Sequence, residues 1–168
     1  MKPLLGVSIE ILTLLAILGA GYLMPPGAVY LLYVIVAQLS ATYLVHCPAH
    51  YIVGIASGIR FKRIRLSRTT LARALPPRMG RVARLIPILT LTTDKSSLVG
   101  LPRSRVSAMY VSGTLASSAS AFVIAGAITI SGSLIQVILT WAVAFGYLLF
   151  DVVFSPRSGD LMRAKRFR

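Results

Sequence analysis

Two histidines four residues apart, His46 and His50, are the residues best suited to chemistry in this 168-residue chain. On a helix that spacing sets both imidazoles on one face. There they are either buried hydrogen-bonding groups or two ligands of one metal ion. Arg60, the next formal charge, lies ten residues beyond His50. At 1.5 Å per residue that puts the pair about 15 Å into an apolar stretch. Three acids also sit in or beside apolar runs: Glu10, Asp151 and Asp160. Placing an ionisable group there is costly, which makes each a functional candidate. Glu10 is expected to play a structural role, paired with Lys2 or a tail arginine. Asp151 falls near the end of a span. Asp160 follows Ser155-Pro156-Arg157-Ser158-Gly159, which reads as a turn that breaks the helix. A carboxylate presented from such a segment can complete a site with the two histidines; the alternative is a surface acid paired with arginines. Cys47 is the single cysteine, which excludes an intramolecular disulfide and a cysteine-only zinc site. Adjacent helical residues point about 100° apart, so Cys47 is not expected to share a metal with both histidines.

The elements that must hold these groups are apolar. The chain is 56% hydrophobic and 13% charged, with a mean hydropathy of +0.79, which excludes a disordered chain and argues against an ordinary soluble enzyme. Four stretches are long enough to cross a hydrocarbon core of about 20 residues: 3–24, 28–59, 106–130 and 134–154. The first is followed by Met24-Pro25-Pro26 rather than a small-residue cleavage site and is read as retained. Turns are expected at Pro25-Pro26-Gly27 and Ser131-Gly132-Ser133. Gly113, Ser117, Ser120 and Ala121, with Ala116 and Ala125, form a small-residue helix face suited to close packing, as do Gly54 and Gly58. The fold class expected is an all-α membrane protein of four transmembrane helices. A basic region of mixed structure, 60–105, separates helices two and three, and a basic tail covers 155–168.

Charge sets the expected topology. There are 18 Lys and Arg against 4 Asp and Glu, a net charge of +14, and neither short turn carries a cation. With four spans, every cation falls on one side, which the positive-inside rule makes cytoplasmic, together with both termini. The 60–105 region is too long for a structureless loop. Phe61-Lys62-Arg63-Ile64-Arg65-Leu66 alternates like a strand. Leu71–Leu75 ends at Pro76-Pro77, and Leu85–Leu91 reads as a strand or an interfacial dip.

The order of these parts resembles the site-2 protease family of intramembrane zinc metallopeptidases. His46-Cys47-Pro48-Ala49-His50 stands in place of an H-E-x-x-H helix, and Gly58-Ile59-Arg60-Phe61 looks like the strand entry after it. Ser112-Gly113-Thr114-Leu115 is similar to the Ala-Gly-Pro-Leu stretch of the next core helix. Phe150-Asp151 through Pro156-Arg157-Ser158-Gly159-Asp160 looks like the final segment that supplies the third ligand. The resemblance implies zinc held by His46, His50 and Asp160. It also implies peptide hydrolysis in which the motif's glutamate accepts a proton from water. Here that glutamate is Cys47, and Pro48 between the histidines removes a backbone donor. Ser158, not an acid, takes the family's aspartate position in a direct alignment, and Asp160 comes two residues later. The resemblance therefore implies a relative that keeps the fold without proteolysis and binds a membrane helix or partner protein between its spans. If hydrolysis occurs, another group must serve as the base.

A second class is an accessory subunit of a larger membrane complex. Its basic face, drawn from Arg60, Lys62, Arg63, Arg65, Arg68, Arg163, Lys165 and Arg166, would dock on ribosomal RNA, anionic lipid or an acidic protein, each cation contributing about 1 kcal/mol near a charged membrane surface. Phe61 is the one aromatic residue in the 60–105 region, which argues against sequence-specific nucleic-acid reading. Haem ligation is disfavoured because both histidines share one helix.

Overall fold

The computed structural model describes residues 1–24, 27–68 and 87–165. Helix α1 (Pro3–Ala20) opens on a proline whose missing N–H would be unpaired at a helix start in any case. Only Gly6, Val7 and Glu10 of this helix are buried, all on one face. Leu12 (64% exposed) and Leu15 (58%) project outward. Leu32, Val123 and Leu149 are similarly exposed from the other long helices. Apolar side chains exposed at this density belong against lipid. Four helices are long and apolar enough to cross a membrane: Pro3–Ala20, Ala28–Ala56, Arg103–Ser131 and Leu134–Pro156.

The second span is not one uninterrupted helix ending at residue 59, as expected. It divides into α2 (Ala28–Leu44) and α3 (His46–Ala56). Pro48 has no N–H to give the carbonyl of Leu44, so the hydrogen-bond ladder breaks where the histidine motif begins. Helix α3 then stops at a left-handed Gly58 (φ 84°). The Ile59 amide reaches back to the Gly54 carbonyl at 2.8 Å and the Gly58 amide to Ile55 at 2.9 Å, the paired bonds of a Schellman stop. Gly58 thus serves as a helix terminator, whereas Gly54 does permit close packing: a side chain there would overlap the Phe61 ring.

The described chain is mostly helical, and its two strands fall in the 60–105 region expected to be of mixed structure. Strands β1 (Phe61–Arg68) and β2 (Pro87–Thr93) pair antiparallel from Phe61↔Thr93 to Arg68↔Pro87, with an irregularity between Phe61 and Arg63. The Leu71–Leu75 segment, Leu85 and Ile86 of the stretch expected as a strand or an interfacial dip, and the Pro25-Pro26 turn lie outside the described residues. So do Arg166 and the Arg68 side chain. Helix α4 (Arg103–Ser131) starts three residues earlier than expected. Helix α5 (Leu134–Ser158) begins on a capping box between Ser133 and Gln136 and continues through Pro156. The expected break therefore narrows to Gly159, after which α6 (Asp160–Lys165) begins.

Helix α4 is the central post. Its Gly113, Ser117, Ala121 and Ala125 recur every four residues and are all buried. Across from them the Gln38 side-chain amide donates to the Ala121 carbonyl at 3.0 Å and the Thr140 carbonyl at 2.9 Å, joining α2, α4 and α5. At one end, the Met1 backbone exchanges hydrogen bonds with Ile64 of β1. Ile59, Val106 and Met109 bury together there with Leu98 and Leu101. The hairpin, the N-terminus and the start of α4 therefore meet at the same end.

Candidate metal centre

His46 and His50 lie on the face of α3 that meets α4, and Asp160 is the first residue of α6. His46 Nε2 is 2.9 Å from Asp160 Oδ2, His50 Nε2 is 3.1 Å from the same oxygen, and the two Nε2 atoms are 3.2 Å apart. Three donor atoms converge on one point. With ligand bonds of 2.0–2.1 Å, the edge of a tetrahedral zinc site is about 3.3 Å, close to all three separations.

The other ring nitrogens show which tautomer each histidine holds. His50 Nδ1 lies 2.6 Å from the Met109 carbonyl, which can only accept, so the proton is on Nδ1. Ser117 donates its hydroxyl to the Thr42 carbonyl at 2.7 Å, which leaves the same oxygen to accept from His46 Nδ1 at 3.1 Å. In the neutral form of each ring, Nε2 therefore offers a lone pair. Two lone pairs and an anion that face each other repel unless a proton or a metal cation sits among them. Orientation of a ligating histidine through its second nitrogen is the arrangement metal sites use.

Gly113 makes this approach possible. A side chain there would overlap the His50 ring, so only glycine lets α4 reach α3 at this level. Arg163 lies 3.5 Å from Asp160 Oδ1, the oxygen turned away from the histidines. Asp160 thus faces both the histidine pair and one arginine, the two arrangements treated above as alternatives.

A cavity of about 490 Å³ opens beside His46, His50 and Asp160, bounded by α3, the two strands, α4, α5 and α6. Cys47 borders it, and its thiol donates to the Leu89 carbonyl of β2 at 3.3 Å. Cys47 stands outside the cluster His46, His50 and Asp160, whose ligand atoms all lie within 4.8 Å of one another.

Glu10 departs from expectation. Among the described residues it meets neither Lys2 nor a tail arginine. It is 3% exposed and lies beside Cys47, whose thiol is turned to Leu89, and among the described residues neither carboxyl oxygen has a partner at full hydrogen-bond geometry. Glu10→Leu removes an unsatisfied buried carboxyl at similar volume and should raise stability by about 1–3 kcal/mol, read as a higher melting temperature in detergent.

The expected basic contacts divide. Arg60, Arg63 and Arg65 are exposed on or beside β1, and Lys165 is exposed on α6. Lys62 pairs with Asp94 at 3.3 Å, and Arg163 turns to Asp160. Sequence reasoning assigned Gly113 and Ser117 to packing. Their recurrence every four residues was visible, but nothing in it marks which small residue faces an imidazole. No family model, curated protein or solved structure matches this chain.

Proposed function

We propose that this chain is an integral membrane metalloprotein of the site-2 protease type. In this reading His46, His50 and Asp160 hold one zinc ion, and the cavity beside it receives a segment of a membrane helix or partner protein. The observation that carries the reading is the convergence of two imidazole nitrogens and one carboxylate oxygen, with both second nitrogens committed elsewhere. The donor set of two nitrogens and one oxygen suits zinc and leaves the fourth position open, as catalytic sites do. When bound, the ion supplies a Lewis acid at the edge of the cavity. Its ligands lie toward the end of the bundle where the hairpin and the N-terminus meet, the end that carries exposed arginines. The positive-inside rule assigns that end to the cytoplasm.

The test is zinc content of protein purified in detergent without chelator. About one ion per chain is expected, and a metal-free protein that refuses added zinc would end this reading. A second reading draws on the exposed Arg60, Arg63 and Arg65, a basic strand able to meet anionic lipid, RNA or an acidic protein. It gives the histidines a packing role and predicts no metal.

A further inference from the structure

Strand β1 is tied to the start of a membrane-length helix. The Ile64 amide donates to the Met1 carbonyl at 3.1 Å, and the Met1 amino group donates to the Ile64 carbonyl at 3.4 Å. Helix α1 begins two residues later at Pro3, and a side chain on its Gly6 would overlap Ile64. The preceding span ends at Ala56, four residues before Arg60. Two helix ends therefore fix β1 at the level where apolar spans meet lipid headgroups, not out in water. Leu66 shares the strand side of Ile64 yet is 66% exposed, and Leu4 and Leu5 are exposed on the first turn of α1. An exposed leucine at this level reaches the upper acyl chains.

The opposite side of the strand carries Arg63 and Arg65, two residues apart and so about 7 Å from each other. That spacing lets two guanidinium forks meet one phosphate. Arg60 stands just before the strand. Its amide donates to Ser97 Oγ at 3.0 Å, and its carbonyl accepts from the Asp94 amide at 2.8 Å. All three arginines are exposed, and none has an ion-pair partner among the described residues. Lys62 differs, because Asp94 holds it. Single-stranded RNA would need aromatic faces for its bases, but Phe61 is packed on Tyr51 and fills the space at Gly54. An acidic protein would match the arginines but not the exposed Leu66. A phospholipid offers an anion and an apolar chain together at a helix end.

We infer that β1 lies in the membrane interface as an amphipathic strand and that Arg60, Arg63 and Arg65 bind the headgroup phosphate of anionic phospholipids. Leu66 anchors the other face of the strand among the acyl chains. The inference rests on the basic surface of the second reading above, narrows its partner to lipid, and is independent of whether the histidine centre holds a metal. Arg65 also borders the cavity, so a bound headgroup stands at the edge of that cavity.

The experiment titrates the full chain in nonionic detergent with dioctanoyl phosphatidylglycerol, dioctanoyl phosphatidylcholine, glycerol phosphate and a single-stranded oligonucleotide, read by thermophoresis. A cation near an anionic headgroup is worth about fivefold in affinity, so three should favour phosphatidylglycerol over phosphatidylcholine by about 100-fold at low salt. Arg63→Gln and Arg65→Gln should each cost about fivefold. The triple variant Arg60→Gln, Arg63→Gln, Arg65→Gln should lose the preference while melting as wild type does. Added salt should weaken the preference by screening. In vesicles of the two lipids, Leu66→Trp in a Trp141→Phe background should be quenched by brominated acyl chains and not by aqueous iodide. Phosphatidylglycerol within about threefold of phosphatidylcholine, a triple variant that keeps the preference, glycerol phosphate binding as tightly as the lipid, or quenching by iodide each overturns the inference. Tighter binding of the oligonucleotide also overturns it but leaves the basic surface as a binding face. Binding of none of the four probes removes that surface as well.

Discussion

Asp160→Ala is expected to abolish stoichiometric zinc binding while the bundle stays folded. The substitution removes the one anion of the proposed ligand set and leaves two imidazoles whose Nε2 atoms are 3.2 Å apart. Loss of a group that merely orients a ligand weakens metal binding by 10–100-fold, so loss of a ligand should exceed about 100-fold. His46→Ala and His50→Ala should do the same, because all three offer atoms to one point. Lys165→Ala, on an exposed position of the same short helix, should bind zinc as wild type does. The thermodynamic counterpart is a ligand-dependent melting temperature. Zinc at about 1,000 times its Kd adds about 4 kcal/mol to the folded state. Wild type should therefore melt higher with zinc and return to its apo value with chelator, while the three ligand variants show no zinc-dependent change. An Asp160→Ala protein that still carries one zinc per chain would remove Asp160 from the site.

Gly113→Ala should match a ligand deletion in effect although it removes no ligand. A methyl group at residue 113 would occupy space now filled by the His50 imidazole. Either His50 swings away from Met109 and out of the cluster, or α3 and α4 separate. Both outcomes disperse the three donor atoms and should weaken zinc binding by about 100-fold or more, as loss of the His50 orienting bond alone would approach. Gly126→Ala on the same helix is the control. Nothing lies within 4 Å of the added carbon there, and alanine is the better helix former by about 1 kcal/mol. Its zinc binding should be unchanged and its stability equal or higher. Measured in parallel by competition with a chromophoric chelator, the two alanines separate steric exclusion at the site from a general effect on α4. Equal zinc affinity in both would show that His50 is not held against α4 in the way described.

Much of the architecture was legible from residue order because it depends on local properties. Apolar runs of membrane length become helices whatever their neighbours, since a backbone in lipid must satisfy its hydrogen bonds within the segment. The alternation at Phe61–Leu66 and the Ser131-Gly132-Ser133 turn are local in the same sense, and both stand where expected. The spacing of His46 and His50 likewise required one shared face and nothing more. Local rules were less exact at the prolines. Pro48 divides a helix that hydropathy alone reads as continuous, because a missing amide donor is invisible to an apolar average. Pro156, by contrast, is absorbed into α5, and the break waits for Gly159.

What only the tertiary structure decided is which groups meet. Asp160 lies 110 residues from His50 along the chain, and its alternative as a surface acid was equally consistent with the arginines around it. The close approach of α4 to α3, permitted by Gly113, and the start of α6 after Gly159 decide that its carboxylate faces the imidazoles. Glu10 shows the reverse: a pairing with Lys2 was reasonable by proximity, yet the face that α1 buries carries it away from every cation described. Composition and periodicity determine which surfaces are apolar and which segments become helices. The meeting of polar atoms depends on helix rotation and separation, and these are set by single small residues at the contacts between helices.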